Sequence, residues 1–338
     1  MFRTLARAAL FSALCALAGC GDGSGGDDAP TLKVVGAFAT QIEEPWNGVV
    51  HRALLEAQAD GAIEYTWSAG IGYDEGAMEG ALRSLIAAES PEVIFGDAFG
   101  NEEAARRVAA DFPQIAFAMG SAGSESAPNF SVFDNWIHEP AYLSGMLAGG
   151  LTRTNIIGIV GGYPVAEVNR LANAFIAGAR AVNPAVQPLV TYISSWYDPE
   201  AAGAATVEQI AAGADVFFAE RDGVIQAAAA AELLSFGNII DQRSTAPREV
   251  VTSSLWRMEP TVEAVVAEVR AGTYGAQNLR QYSMIGAEGA ALAPINTRVR
   301  GGVPAALVEL VEETLAAIRA GTFVVGIDES TPAGAVIR

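Results

Sequence analysis

Short apolar runs alternate with amphipathic segments along the chain from residue 31 onward. The first run, residues 32–38, has the length and β-branched content of a buried strand, and residues 48–59 behind it have the pattern of a helix. The same reasoning predicts further strands at 63–67, 93–95, 115–119, 130–133, 156–160, 190–193, 215–219, 238–240, 250–253 and 280–285, and helices at 74–88, 101–111, 139–151, 165–182, 199–212, 225–234, 260–271 and 304–320. Two such series in succession predict an α/β fold with two lobes, a mainly parallel sheet in each, and a cleft between them.

Two tryptophans follow predicted strands, one in each series. Trp46 stands with Glu44 and Asn47 in the segment after the first strand, and Trp196 follows the strand at 190–193. Loops at the carboxyl ends of parallel strands form the ligand crevice of open α/β sheets. Two roles are open for Trp46: a hydrophobic staple that closes the first helix, or a face on which a ring stacks. If both loops meet at one cleft, the two indoles predict a flat ligand held between them.

The N-terminus has the pattern of a secretory signal. Two arginines in the first seven residues precede an apolar run that ends in Leu17-Ala18-Gly19-Cys20, the form of a bacterial lipoprotein signal. We therefore expect a signal peptide at 1–19 and lipid on Cys20, where several acyl chains give stable anchoring. The alternative is an ordinary cleaved signal that happens to contain a cysteine. Residues 20–30 lack apolar periodicity, which predicts a flexible tether.

Charge and cysteine usage exclude several classes of function. The formal net charge is -19, and removal of the two signal arginines makes it -21 (-19 minus 2). Since Lys33 is the single lysine, binding to a nucleic-acid polymer is not expected. Of the two cysteines, Cys15 lies in the signal and Cys20 at its end, which leaves none for a disulfide or a thiolate metal site.

No catalytic constellation is present in the sequence. The adjacent Glu43 and Glu44 are neighbours along the chain, which seldom places two carboxyls on either side of one bond. The two histidines, His51 and His138, have no spaced partners for a metal ion. We therefore predict a protein without metal or cofactor that is not an enzyme.

Several segments, in their order along the chain, resemble the basic membrane protein family, the purine-nucleoside-type substrate-binding lipoproteins of ABC transporters. The matching segments are Pro45-Trp46-Asn47, 139–149, 158–162, 173–179, 196–199, 213–216 and 287–289. The resemblance implies the type I periplasmic binding protein fold, with two Rossmann-like lobes joined by a three-segment hinge. It implies a first lobe at 31–133 plus 256–285 and a second at 134–255 plus 286–338.

The resemblance also implies which residues contact the ligand. Trp46, followed by Asn47, and Trp196 stand at the two aromatic positions against the purine base. Asp134 and Trp136 lie in the first crossover segment, from which the family contacts the base. Asp241 matches the acidic position that holds ribose hydroxyls, a role that suits a carboxylate because it can accept from both.

The sequence departs from the family pattern at two positions. The acid that often follows the first strand is absent, and Glu43 or Glu44 is a possible substitute; the lysine near the ribose is absent too, and Trp256 stands in about its place. These departures make a free purine base, or another flat heteroaromatic such as a flavin, an alternative to a nucleoside.

The function that the resemblance implies is capture of a purine-like molecule by a lipid-anchored monomer on the periplasmic side of the cell envelope. Its partners would be the permease subunits of an ABC importer. A ligand sensor or receptor that uses the same fold without transport is the alternative.

Overall fold

The computed structural model describes residues 31–338. The predicted signal peptide at 1–19, the lipidation of Cys20 and the tether at 20–30 concern residues outside this range.

Twelve strands occur in this range, and most begin and end close to the predicted positions. They are β1 Leu32–Ala37, β2 Ile63–Ser68, β3 Val93–Asp97, β4 Ala116–Gly120, β5 Phe130–Phe133, β6 Ile156–Gly161, β7 Gln187–Tyr192, β8 Val216–Ala219, β9 Leu234–Ile239, β10 Val250–Trp256, β11 Ala290–Leu292 and β12 Val336–Ile337. Nine α-helices connect or cover them within the same residues: α1 Pro45–Ala59, α2 Glu75–Glu89, α3 Glu102–Asp111, α4 His138–Leu151, α5 Ala166–Val182, α6 Pro199–Ala211, α7 Val224–Ala230, α8 Glu259–Arg270 and α9 Ala305–Arg319.

The strands form two sheets. The first has the order β2-β1-β3-β4-β5, and the second has the order β11-β10-β9-β8-β6-β7-β12. Every pairing is parallel except that of β10 with β11. The predicted α/β architecture is thereby confirmed. Strand order reverses between β1 and β3 in the first sheet and between β6 and β8 in the second, and such switch points are where open sheets bind ligands.

Three segments connect the region of the first sheet with that of the second. Residues 134–137 lead from β5 to α4, residues 257–258 lead from β10 to α8, and residues 283–289 lead from a 3-10 helix to β11. Helix α8 packs on α1, and Val132 of β5 pairs with Asn278. The assignment of 256–285 to one lobe and 286–338 to the other stays a prediction.

The C-terminal residues hold the second sheet and helix α5. Strand β12 pairs with β7 at the sheet edge. Asn173 donates to the carbonyls of Asp328 and Ser330, and Arg170 donates to Glu329 over 2.7 Å. This tail therefore completes the packing around the buried Arg170.

Several elements differ from the sequence prediction. Strand β9 begins at Leu234 and not at residue 238, and strands β11 and β12 were not predicted. Helix α1 begins at Pro45 and not at residue 48, because Glu44 caps it by accepting from the Asn47 N–H. The predicted strand at 280–285 was wrong: Leu279–Ser283 is a 3-10 helix, started by the Asn278 side chain, which accepts from the Arg280 N–H. The alanine-rich helix predicted at 225–234 ends at Ala230, since the chain turns at Glu232 with a positive φ of 60°.

Among the helices of residues 31–338, none combines the length and the apolar character that a bilayer crossing requires.

Candidate functional site

A cleft of about 470 Å³ lies where the carboxyl ends of the two sheets face each other. Its walls come from the segments after β1, β2, β7 and β8, from the end of β3 and the segment after it, and from the first turns of α1 and α5. The lining residues are Thr40, Gln41, Glu43, Glu44, Trp46, Tyr73, Asp97, Phe99, Glu167, Trp196, Tyr197 and Arg221. Both sheets therefore supply side chains to one cavity, at their switch points.

Trp46 forms one aromatic wall of the cleft. Its ring stacks on Phe133 with centroids 5.6 Å apart and an interplanar angle of 13°, and Phe99 meets it edge-on at 5.6 Å. Trp46 is the second residue of α1, whereas a hydrophobic staple uses the residue before the N-cap, so the staple role does not apply. The side chain is 8% exposed, which means that neighbouring rings hold it in place.

Trp196 enters the cleft from the segment between β7 and α6. The Arg221 guanidinium lies 5.3 Å from its ring centroid and donates to its carbonyl oxygen over 2.8 Å. Glu220 fixes this guanidinium through an ion pair of 2.5 Å and accepts from the Gly162 N–H. The Trp196 segment is therefore tied to the end of β8 by a buried charged group.

Two carboxyls face the same space from the first sheet. Asp97 ends β3, where Oδ1 accepts from the Phe99 N–H over 3.0 Å and Oδ2 lies 3.4 Å from Asn47 Nδ2. Burial raises the pKa of Asp97 to about 7, against the opposing hydrogen bonds from Phe99 and Asn47. Burial also raises the pKa of Glu44 above its ordinary value. Burial thus favours the neutral form of both carboxyl groups more than it is favoured in a surface acid.

The structure brings Glu44, Trp46 and Trp196 of the sequence-predicted residues to the cleft wall. Asn47 stands just behind it, because its amide donates to the lining residue Thr40 over 2.6 Å. Trp256 is also behind the wall: it is 3% exposed and contacts Trp46 with ring centroids 4.9 Å apart.

Three other predicted residues do not line the cleft. The Asp134 carboxylate pairs with Arg170 over 2.6 Å, and Trp136 lies between the guanidiniums of Arg170 at 3.6 Å and Arg280 at 4.0 Å. Asp241 is exposed and accepts from the Arg243 N–H, which closes a local turn. Structural partners thus occupy these groups. The resemblance implied that they contact the ligand, whereas the structure places them outside the lining of the cavity.

Sequence reasoning missed three charged residues of the cleft: Asp97, Glu167 and Arg221. Asp97 and Arg221 each stand at or just after the carboxyl end of a strand, a signal that was available. Glu167 lies on α5, and no local pattern distinguishes it from the other helix acids.

Comparisons with known proteins agree with this arrangement. Residues 34–281 match the model of the family described as Bmp, ABC transporter substrate-binding protein PnrA-like. A purine-binding protein of Brucella abortus is 29% identical over 230 residues, which are 68% of this chain and 65% of that protein. A Haloferax volcanii protein named for glucose binding by an ABC transporter is 30% identical over 215 residues, 62% of this chain and 54% of that protein. The chain thus spans less than two thirds of the length of both relatives.

A solved solute-binding protein of an ABC transporter system from Conexibacter woesei has the same fold. Its TM-score is 0.70 at 25% identity, over 88% of this chain and 99% of that one. The family match covers most of the described residues and includes β2 to β10, most of β1 and every residue that lines the cleft. The chain therefore belongs to the Bmp family of PnrA-like ABC transporter substrate-binding proteins.

Proposed function

We propose that this protein captures a purine base or purine nucleoside in the cleft and delivers it to an ABC importer. The observation that carries the proposal is that Trp46 and Trp196, from segments 150 residues apart by number (196 minus 46), line one cavity with Asp97 and Glu44. Aromatic faces bind a planar ring by stacking, and carboxylates accept from its N–H groups. The similarity to the Brucella abortus purine-binding protein supports the same ligand class.

Closure of the two lobes around the ligand would retain it. A ligand that contacts residues of both sheets stabilises the closed form over the open form by its differential affinity for the two. The three connecting segments are the places where such a movement would be absorbed. The ligand-bound protein would then reach the permease in the closed form.

The remaining parts of the proposal concern the cell envelope. The lipoprotein signal supports an anchor at Cys20 on the periplasmic side. Membership of a family of ABC transporter substrate-binding proteins supports permease subunits as partners, and the mature protein in this proposal is a monomer. Expression without residues 1–20, which removes the predicted signal and the lipidation site, provides the protein for the binding experiments below.

Titration with adenine, hypoxanthine, adenosine and inosine tests the ligand class. We expect one or more of them to quench tryptophan fluorescence and to raise the melting temperature, because binding to the folded state alone stabilises it. Glucose and riboflavin belong in the same panel, since the Haloferax volcanii relative is named for glucose. Silence of all four purines would reject the proposal, and a response to glucose or riboflavin alone would replace it.

Replacement of Trp196 by alanine tests the aromatic wall of the second sheet. We expect about a tenfold to a hundredfold loss of purine affinity, the equivalent of about 1–3 kcal/mol for one stacked base. The fold of the free protein should persist, because Trp196 is half-buried at the cleft surface.

Trp67→Ala is the matched control for this substitution. Trp67 is 43% exposed and stacks on Tyr65 outside the cleft, so the same loss of an indole should leave affinity unchanged. Equal affinity of Trp196→Ala and the unaltered protein would contradict a stacking role for Trp196.

A further inference from the structure

Glu167 is a cleft residue for which neither the pattern of the sequence nor the resemblance supplies a role. It lies in the first turn of α5, is 6% exposed and lines the cavity opposite the carboxyls of the first sheet. Its Oε1 accepts from Asn135 Nδ2 over 2.5 Å. Within the part of the chain that the structure describes, its Oε2 has no hydrogen-bond partner. One oxygen is thus held in position and the other is left for a group inside the cleft.

The charges around Glu167 do not supply it with a cation of its own. The groups that face it are Asp134, Arg170, Glu220 and Arg221, and Glu44 and Asp97 lie across the cleft. Asp134 and Glu329 already pair with Arg170, and Glu220 pairs with Arg221. Burial raises the pKa of Glu167 well above its ordinary value, and the negative charges of Asp134 and Glu220 raise it further. The positive charges of Arg170 and Arg221 oppose this rise only in part, so burial and the neighbouring carboxylates together favour the neutral form of Glu167 more than it is favoured in an exposed glutamate.

We propose that Glu167 is a specificity-determining residue that binds the ligand as a neutral carboxylic acid, donating a hydrogen bond from Oε2 to an acceptor atom on the ring. The inference rests on the proposed function, since it assumes a planar heterocycle in the cleft. A protonated carboxyl has one O–H donor, whereas an ionised one only accepts. The ionised form would instead place a negative charge against the lone pair of the ring atom.

This assignment narrows the class of ligand. Asp97 and Glu44 accept from N–H groups on one side of the cleft, and Glu167 donates from the other side. The ring must therefore carry N–H donors on one edge. On another edge it must carry an acceptor, which is an imine nitrogen or an oxo group. Purine bases have both, whereas a planar hydrocarbon has neither and would leave buried polar groups unpaired.

Two substitutions at this position separate hydrogen-bond donation from charge. In Glu167→Gln the amide keeps the size of the side chain and a donor at every pH, so we expect adenine affinity to be largely retained. In Glu167→Met the volume is kept and the donor is lost, so we expect about a tenfold or larger loss, as for a buried acceptor left unpaired. Glu200→Gln, in the exposed first turn of α6, is the matched control and should change nothing.

The pH dependence of adenine affinity provides the second measurement. It is best made from about pH 6 to about pH 9 in the Asp97→Asn background, because Asp97 also titrates in this range. With Glu167 intact, affinity should fall by up to about tenfold per pH unit above the pKa of this group, and Glu167→Gln should abolish the fall. An unaltered pH profile in Glu167→Gln, or adenine binding as weak in Glu167→Gln as in Glu167→Met, would overturn the inference.

Infrared spectroscopy of the free protein tests the protonation state without a ligand. The spectrum is best measured in the Asp97→Asn background, because Asp97, with a pKa of about 7, would itself contribute a band of a neutral carboxyl group at neutral pH. In that background we expect such a band, which should persist when Glu200→Gln is added and disappear when Glu167→Gln is added. If none of the four purines binds the unaltered protein, the proposed function falls and this band still decides the protonation state of Glu167. Absence of the band from the Asp97→Asn protein overturns the inference even if purines bind.

Discussion

Replacing Asp97 by asparagine should stabilise the ligand-free protein at pH 8 by as much as about 4 kcal/mol, while it weakens purine binding. The pKa of Asp97 in the folded protein is raised to about 7 by burial, from an ordinary value of 3.8. Between these two values the folded protein binds more protons than the unfolded chain, so the free energy of unfolding falls as pH rises from about 4 to about 7. Asparagine carries no charge, retains the acceptor for the Phe99 N–H and removes this penalty.

Urea denaturation of both proteins at several pH values measures this effect. The free energy of unfolding of Asp97→Asn should be close to that of the unaltered protein near about pH 4. Its excess over that of the unaltered protein should grow with pH and level off above about pH 7. Asp60→Asn is a suitable control, because Asp60 lies at the exposed end of α1. A difference that is constant with pH would show that Asp97 is already neutral or already paired throughout this range.

Replacing Asp134 by alanine should lower the free energy of unfolding by about 3 kcal/mol. Arg170 is 1% exposed and donates to Asp134 over 2.6 Å and to Glu329 over 2.7 Å. Removal of one member of a buried ion pair leaves an uncompensated charge, which costs about 3–5 kcal/mol. We expect a cost at the lower end of this range because Arg170 keeps Glu329, whose side chain is 41% exposed, as a partner.

The same ion pair provides its own double-mutant test. Asp134→Ala combined with Arg170→Met should be more stable than Asp134→Ala alone, since the unpaired charge is then absent. Asp111→Ala breaks an exposed pair with Arg83 and should cost less than about 1 kcal/mol. If Asp134→Ala costs no more than Asp111→Ala, the buried pair is not a stabilising feature of the connection between the sheets.

The fold could be predicted from the sequence because parallel strands buried on both faces leave a strong local signal. Strand β4 is a continuous apolar run, β3 is one up to its last residue, Asp97, and every residue in both is buried. Errors arose where that signal was weak or ambiguous. The segment 280–285 was predicted as a strand, but Leu279–Ser283 is a 3-10 helix, and the two-residue β12 is too short to predict.

The candidate site was predicted less completely, because it depends on which side chains find partners elsewhere. The two indoles were located from their position after strands. No local sequence pattern shows that Arg170 forms an ion pair with Asp134. No local pattern shows that helix α5 places Glu167 at the cleft. Contacts between residues this far apart are a property of the assembled sheets and helices.

The C-terminal residues determine when the second sheet can complete its packing during synthesis. Arg170 and Glu329 are separated by 159 positions, and β12 closes the edge of the second sheet on β7. While the chain emerges from a ribosome or a translocation channel, helix α5 and the edge of β7 lack these partners, which are made about 150 positions later. Chaperones and proteases of the cell therefore meet this sheet edge unpaired until residues 336–337 have been made, and any chain that stops before Val336 keeps it so.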